Sequence, residues 1–285
     1  MRIDRRVIYL LVILSLSLPL IYGYTLRPAR MQAADKAFSL IDSLKVEEGQ
    51  IAFVALDFGA NTKAENFPQA EVMVEHLMRR RIPIAFFSLY VLAEPFLVSI
   101  PEGVANRLMQ ENPGQKWEYG KDWVNLGYNP GGFLIVQAIP KSENLIELFK
   151  RDARGNNLAD LPAFQKVRTL KDIKFLGEVT GLMGMFDNYV QFFQSGGYRP
   201  LFVHGCTSIT IPEAYIYMDS GQLDGLFEGI AGAAWYSDRL KQEFPNRKID
   251  TSALINTGLG VAHLVIIALV LLGNLSGIFL KFFRV

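Results

Sequence analysis

His204 and Cys206 stand two residues apart, and Cys206 is the only cysteine in the chain. A thiol beside an imidazole is the pair a cysteine hydrolase uses, provided a base or a positive field lowers the thiol pKa. Residues two apart on a strand share a face, so contact is within reach. Catalytic dyads draw their partners from separate segments, however, and the competing reading is a buried cysteine next to a hydrogen-bonded histidine. A second set of polar residues closes or follows apolar tracts: Asp57 and Asn61, Ser88, Asn125 and Tyr128, Thr180, then Thr207 and Ser208. If those tracts are parallel strands, their carboxyl ends converge where open α/β sheets collect ligands. These eight are therefore candidate ligand-binding residues, and His204 and Cys206 are weak catalytic candidates.

Other chemistries have no support in the spacing. Three histidines without an HxxxH or CxxC pair give no metal site, and a lone cysteine excludes an internal disulfide. Asp57-Phe58-Gly59 shares only its letters with the kinase triplet, and Gly181-Leu182-Met183-Gly184 lacks the GxGxxG pattern. No P-loop or GxSxG tract occurs, so no cofactor and no metal are expected.

The elements that would position the candidates follow from patterning. Residues 30–44 carry apolar residues at helical spacing. Residues 50–57 form an unbroken apolar run closed by Asp57, as expected of a strand buried on both faces. A helix over 68–81 ends in three arginines, and 82–89 is a second apolar run. Strand, helix and strand in this order favour a parallel sheet with a right-handed crossover. Further strands are expected over 123–128, 173–179 and 199–205. Helices are expected over 103–111, 133–139, 144–150 and 186–194, with a long amphipathic helix over 222–244. In that last helix Gly225, Gly229 and Ala233 would form a small-residue stripe. The fold class is therefore α/β, a mostly parallel layered sheet of about five strands.

The chain ends are different. Half of the 285 residues are hydrophobic, yet charge is missing from 7–26 and from 253–280. A bilayer core about 30 Å thick needs roughly 20 apolar helical residues, so both stretches read as transmembrane helices. A signal peptide is the competing reading of the first, but no small-x-small cleavage site follows it before Met31. The total charge of +1 includes four surplus positive charges in the tails, 1–6 and 281–285, which leaves the domain at 27–250 with −3. That balance excludes a basic nucleic-acid binder. The basic N-terminal tail favours both termini in the cytoplasm, placing 27–250 outside it and the protein in the cell (inner) membrane. Within the second span, His263 and Asn274 lie eleven residues apart, about three turns, and so share a face. Gly273 and Gly277 form a GxxxG pair near that face. These four are candidate helix-packing residues, for the first span, a second copy or another subunit.

The segment from Tyr119 to Gly132 is the most distinctive, reading Tyr-Gly-Lys-Asp-Trp-Val-Asn-Leu-Gly-Tyr-Asn-Pro-Gly-Gly. Together with Asp219-Ser220-Gly221-Gln222-Leu223-Asp224-Gly225-Leu226 and Gly232-Ala233-Ala234-Trp235-Tyr236, it resembles a family of prokaryotic membrane-anchored proteins. The resemblance covers part of the chain and implies architecture; it transfers no activity and no catalytic residue. Locally, Trp123 and Tyr128 are expected to pack a turn while Lys121 and Asp122 cap or pair.

The leading functional expectation is a non-enzymatic subunit of a membrane complex. Its partners would be membrane lipid and other membrane subunits, or copies of itself. The alternative is a membrane-tethered ligand-binding or sensory domain using the strand-end crevice. A third is an envelope hydrolase acting through His204 and Cys206.

Overall fold

Every residue of the apolar run at 51–57 is buried, because it forms the central strand of a sheet covered on both faces. The structure, a computed structural model, describes residues 4–194, 197–248 and 251–282, the last seven by backbone alone. The outermost tail residues, 1–3 and 283–285, lie outside the described residues. Six parallel strands, β1 (Ile51–Asp57), β2 (Ile84–Ser88), β3 (Trp123–Tyr128), β4 (Ile173–Thr180), β5 (Leu201–Cys206) and β6 (Gly225–Glu228), lie in the order β3-β2-β1-β4-β5-β6. This is the doubly wound α/β order, and strand order reverses between β1 and β4.

The layers follow from alternation along the strands. Ala52, Val54 and Leu56 face one apolar cluster with α3 (Lys63–Arg79), α4 (Glu94–Glu111) and α9 (Gly229–Glu243). Ile51, Phe53 and Ala55 face the other, with α5 (Phe133–Ala138), α6 (Leu145–Phe149), α7 (Met185–Phe193) and α8 (Ile211–Asp219). Strands buried on both faces read as unbroken apolar runs, which is why they were visible in the sequence.

The tract 222–244 is not one long helix. It contains the sixth strand, β6, followed by α9, and Val203, His204, Gly205 and Cys206 of β5 pair with residues 225–228. Four residues are too short to show a period, and their state is set by pairing with β5. Gly225 therefore belongs to a strand. A Cβ there would lie 2.8 Å from the Ala37 backbone of α2 (Gln32–Ser43), which covers the β6 edge. The expected stripe loses Gly225: Gly229 is the first residue of α9, at φ +57°, and Ala233 follows one turn on.

The chain ends form two candidate membrane-spanning helices by length and composition. These are α1 (Arg5–Tyr22) and α10 (Thr251–Phe282), described as apolar through Leu275. Asp4 caps α1 by accepting the Arg6 amide, and Gly23 ends it in the left-handed conformation. The two helices pack on each other. Gly258 of α10 lies against Leu16, whose carbonyl would be 3.0 Å from a Cβ there, and the Leu26 amide donates to Thr257 Oγ1 at 2.9 Å. Since α9 starts at the carboxyl edge of the sheet and runs back, α10 leaves from the amino-edge side.

Candidate functional site

The first turns of α3 cross beneath the carboxyl ends of β4 and β5. Glu65, Asn66 and Gln69 occupy one face at spacings of three and four. Asn66 Nδ2 donates to the Thr180 carbonyl at 3.2 Å and to Gln69 Oε1 at 3.1 Å; Gln69 Nε2 donates to the Cys206 carbonyl at 2.7 Å. Glu65 Oε2 accepts from the Ser208 amide at 2.9 Å and from its hydroxyl at 2.5 Å. These side chains supply partners to backbone groups at strand ends, which are costly to leave unpaired when buried. Gly181 permits the approach, since a Cβ there would meet Thr62 Cγ2 at 2.5 Å.

Above this face lies a cavity of about 310 Å³, at the loops after β1, β4 and β5. Asn61, Thr62, Glu65, Gly181, Thr207 and Thr210 supply its polar wall; Met183 and Ile209 form a lip and are 81 % and 85 % exposed. Among the described residues, no lysine or arginine lines it. Thr62 Oγ1 is buried without a protein hydrogen-bond partner, and so is Asn66 Oδ1, just behind Gly181. Each can bond a further group. A narrower recess shares Met183 and Thr210 with this cavity and reaches His204, with Thr180, Phe186, Asp187 and Glu213 around it.

His204 is buried and stacks on Phe186 with centroids 4.1 Å apart. Its Nδ1 lies 3.2 Å from the Glu178 carbonyl and 2.6 Å from the Glu178 carboxyl, which is too far out of line to count as a hydrogen bond. Burial keeps the imidazole neutral, lowering its pKa to about 3. Burial, reinforced by the charges of Asp57 and Asp187, raises Glu178 well above the usual carboxylate range. Burial thus favours the uncharged form of both groups. Cys206 Sγ turns to the Phe227 carbonyl at 3.5 Å, and burial pushes its thiol up to about 12. His204 faces Glu178 and Cys206 faces β6, so the two do not form a base and a thiolate.

Asp57 is fully buried, and its carboxylate is engaged by the Ser88 hydroxyl at 2.8 Å, the Leu89 amide at 2.6 Å and the Tyr189 hydroxyl at 2.6 Å. Burial outweighs these bonds and raises its pKa. Thr180 Oγ1 donates to the Asp57 carbonyl at 2.7 Å. Asp57, Ser88 and Thr180 thus knit β1 to the β2 end, α7 and β4. Of the eight ligand candidates, the structure brings Asn61 and Thr207 to the main cavity and Thr180 to the recess, while Ser208 is held by Glu65. Asn125 lies elsewhere, at a pocket with Tyr119 and Arg154, its Oδ1 accepting the Gly127 amide at 2.8 Å; Tyr128 ends β3, distant from both cavities. In the same segment Asp122 caps the Glu118 amide, and Tyr119 meets Trp123 edge-on.

Glu65, Asn66 and Gln69 were missed by sequence reasoning, because polar residues on the first turns of a helix look like a solvated face. Their signal is the absence of apolar residues on the helix face that meets the strand ends. Of the helix-packing candidates, His263, Gly273 and Asn274 are on the exposed surface of α10, and Gly277 lies where only the backbone is described. Against α1 lies Gly258, and Thr257 accepts the Leu26 amide just beyond that helix; these two precede His263 by one to two turns and Gly273 by about four.

Fold and site together define a doubly wound α/β domain between two candidate membrane spans, with a polar crevice, lined by hydroxyls, an amide and Glu65, at its strand switch point. Compared with family models, curated proteins and solved structures, the chain matches none.

Proposed function

We propose that this chain is a membrane-anchored binding domain whose switch-point crevice takes a small, uncharged, hydroxyl-rich molecule. The observation that carries this reading is the combination of an open cavity of about 310 Å³ with the unpartnered Thr62 hydroxyl of its wall and the unpartnered Asn66 carbonyl oxygen behind Gly181. Hydroxyl and amide walls without a cation favour a neutral polyol over a phosphate or carboxylate, which recruit arginine or lysine. Glu65 adds negative charge, which disfavours anions further. In this reading both termini lie in the cytoplasm, 27–250 is extracytoplasmic, and the protein sits in the cell membrane.

The test is a melting series on the full chain in mild detergent, with monosaccharides and other neutral polyols against nucleotides and carboxylates. A neutral polyol should raise the melting temperature, and Thr207→Phe, which fills the crevice, should abolish the shift. A shift produced by nucleotides alone would refute the reading.

A second reading, a non-catalytic subunit of a membrane complex, is favoured by an apolar rim on the same edge. Leu92, Phe133, Leu134, Met183 and Ile209 follow four of the strands and are exposed. Patches of this kind mark partner surfaces. Co-purification of a stoichiometric partner, lost in Phe133→Ser/Leu134→Ser, which lie outside the crevice, while the polyol shift persists, would support that role beside the first.

A further inference from the structure

We infer that the junction between the anchors and the domain holds the headgroup of one anionic phospholipid. A cavity of about 290 Å³ lies where the chain leaves α1 and enters α10. Its walls come from Thr25, Arg27, Asp238, Lys241, Arg247 and Lys248, with the first turn of α10 closing one side. The position sets the depth. Tyr22 ends one candidate span and Thr251 begins the other, so the cavity opens where the hydrocarbon ends and the headgroup layer begins.

The charge in the cavity is arranged in two tiers. Arg247 is buried and paired: its Nε and Nη2 donate to Glu75 at 2.7 and 2.9 Å, and Nη1 donates to the Ser237 hydroxyl at 2.8 Å. It is a wall and leaves no charge for a ligand. Asp238 faces Arg27 at 3.9 Å and accepts from Gln242 at 2.7 Å, so these two opposite charges offset each other. Among the described residues of the wall, Lys241 and Lys248 are left as the net positive charge. Lys241 Nζ is held by the Pro245 and Arg247 carbonyls at 2.5 and 2.6 Å, which uses two of its three N–H donors and fixes the ammonium at the cavity. A phosphodiester oxygen is the acceptor that meets a remaining ammonium donor without adding bulk, and Thr25 adds a hydroxyl to the same wall. Free phosphate has the same chemistry. The cavity opens at the base of two apolar helices, and that position favours a phosphate carrying acyl chains alongside α1 and α10.

This inference rests on the two spans standing in lipid, and is independent of the crevice. Carbonate extraction of membranes tests the anchoring separately. The site is tested by native mass spectrometry of the full chain in detergent, titrated with phosphatidylglycerol or phosphatidylcholine. One phosphatidylglycerol should bind in preference to phosphatidylcholine. Lys241→Gln/Lys248→Gln should lower that preference by about thirtyfold, from two lysines near a membrane surface. Lys63→Gln, at the other end of the domain, should leave it unchanged. Should the double variant fold poorly, the exposed single variant Lys248→Gln should still weaken the preference by about fivefold. Equal binding of both lipids, an unchanged preference in the lysine variants, or displacement of the lipid by millimolar inorganic phosphate would each overturn the inference.

Discussion

The two ends of the sheet solve the problem of buried polar groups in opposite ways. At the amino edge, Glu75 is fully buried amid Arg79, Arg107 and Arg247, and Glu71 and Glu111 complete three acids against three arginines. Burial alone would raise the Glu75 pKa, but Arg247, Arg107 and Arg79 outweigh it and hold the carboxylate ionised. Nearby, Asp42 binds Arg80 and sits 3.3 Å from His76, whose other nitrogen meets the Tyr236 hydroxyl at 2.6 Å. At the carboxyl edge no arginine or lysine among the described residues lines the crevice. Glu178 and His204 are held neutral, and Thr62 and Asn66 keep open valences beside a cavity. Where every charge has its partner, the work is structural; the proposed ligand site lies where polar groups are left with bonds to make.

The strongest challenge to this contrast is Glu75→Ala. Removing the shared acid takes the carboxylate from buried Arg247 and leaves three close arginines against two acids, Glu71 and Glu111; breaking a buried pair in this way costs about 3–5 kcal/mol. Chemical denaturation in detergent should show that loss; a cost near zero would mean that the amino edge is held by packing alone.

Next in size is Gly225→Ala, whose methyl group would strike the α2 backbone at Ala37. Overpacking there should cost about 1–3 kcal/mol in a melting experiment, with α2 and β6 losing amide-exchange protection first.

The neutral pair gives a pH signature of intermediate size. Unfolded, His204 takes up a proton near pH 6.5; folded, it resists until about pH 3, so stability is lost as pH falls through that window. Glu178 works in the other direction. Its folded pKa is raised, so stability falls as pH rises above the ordinary value of 4.5. Each group contributes at most about 1.4 kcal/mol per pH unit inside its window. Glu178→Gln should flatten the alkaline fall, and His204→Asn should reduce the acidic one, His76 supplying the remainder with its own pKa lowered to about 4. Denaturation midpoints measured between about pH 4 and 8 would sharpen the contrast.

The smallest effect on stability is expected at the cavity wall. Asn61→Ala should change folding by no more than about 0.5 kcal/mol, since Asn61 is exposed, while weakening polyol binding. A large stability loss with unchanged binding would move Asn61 from the site to the scaffold.

Much of the architecture was legible in the chain. The strands β1, β2 and β5 announced themselves as apolar runs closed by polar residues, because a parallel strand covered on both faces has no polar side to show. The two candidate spans were legible as long helices because a long apolar stretch without charge is visible in composition alone. The reading of Asp57 as a ligand group failed for an instructive reason. A carboxylate at a strand end looks the same in sequence whether it meets a ligand or, as here, the hydroxyls of Ser88 and Tyr189, the latter 132 positions away. His204 and Cys206 share a strand and a face, yet each turns to a different neighbouring strand.

By itself, the sequence determined the parallel α/β class, two apolar ends long enough to cross a bilayer, and the set of polar residues at the strand ends, since all three depend on local patterning and composition. Only the tertiary structure decided that 225–228 is a strand, that Glu65, Asn66 and Gln69 lie beneath the crevice, and which of the polar groups are satisfied. Those outcomes depend on contacts between segments far apart in the chain, and a buried polar group is structural or available for a ligand according to the partners such contacts bring to it.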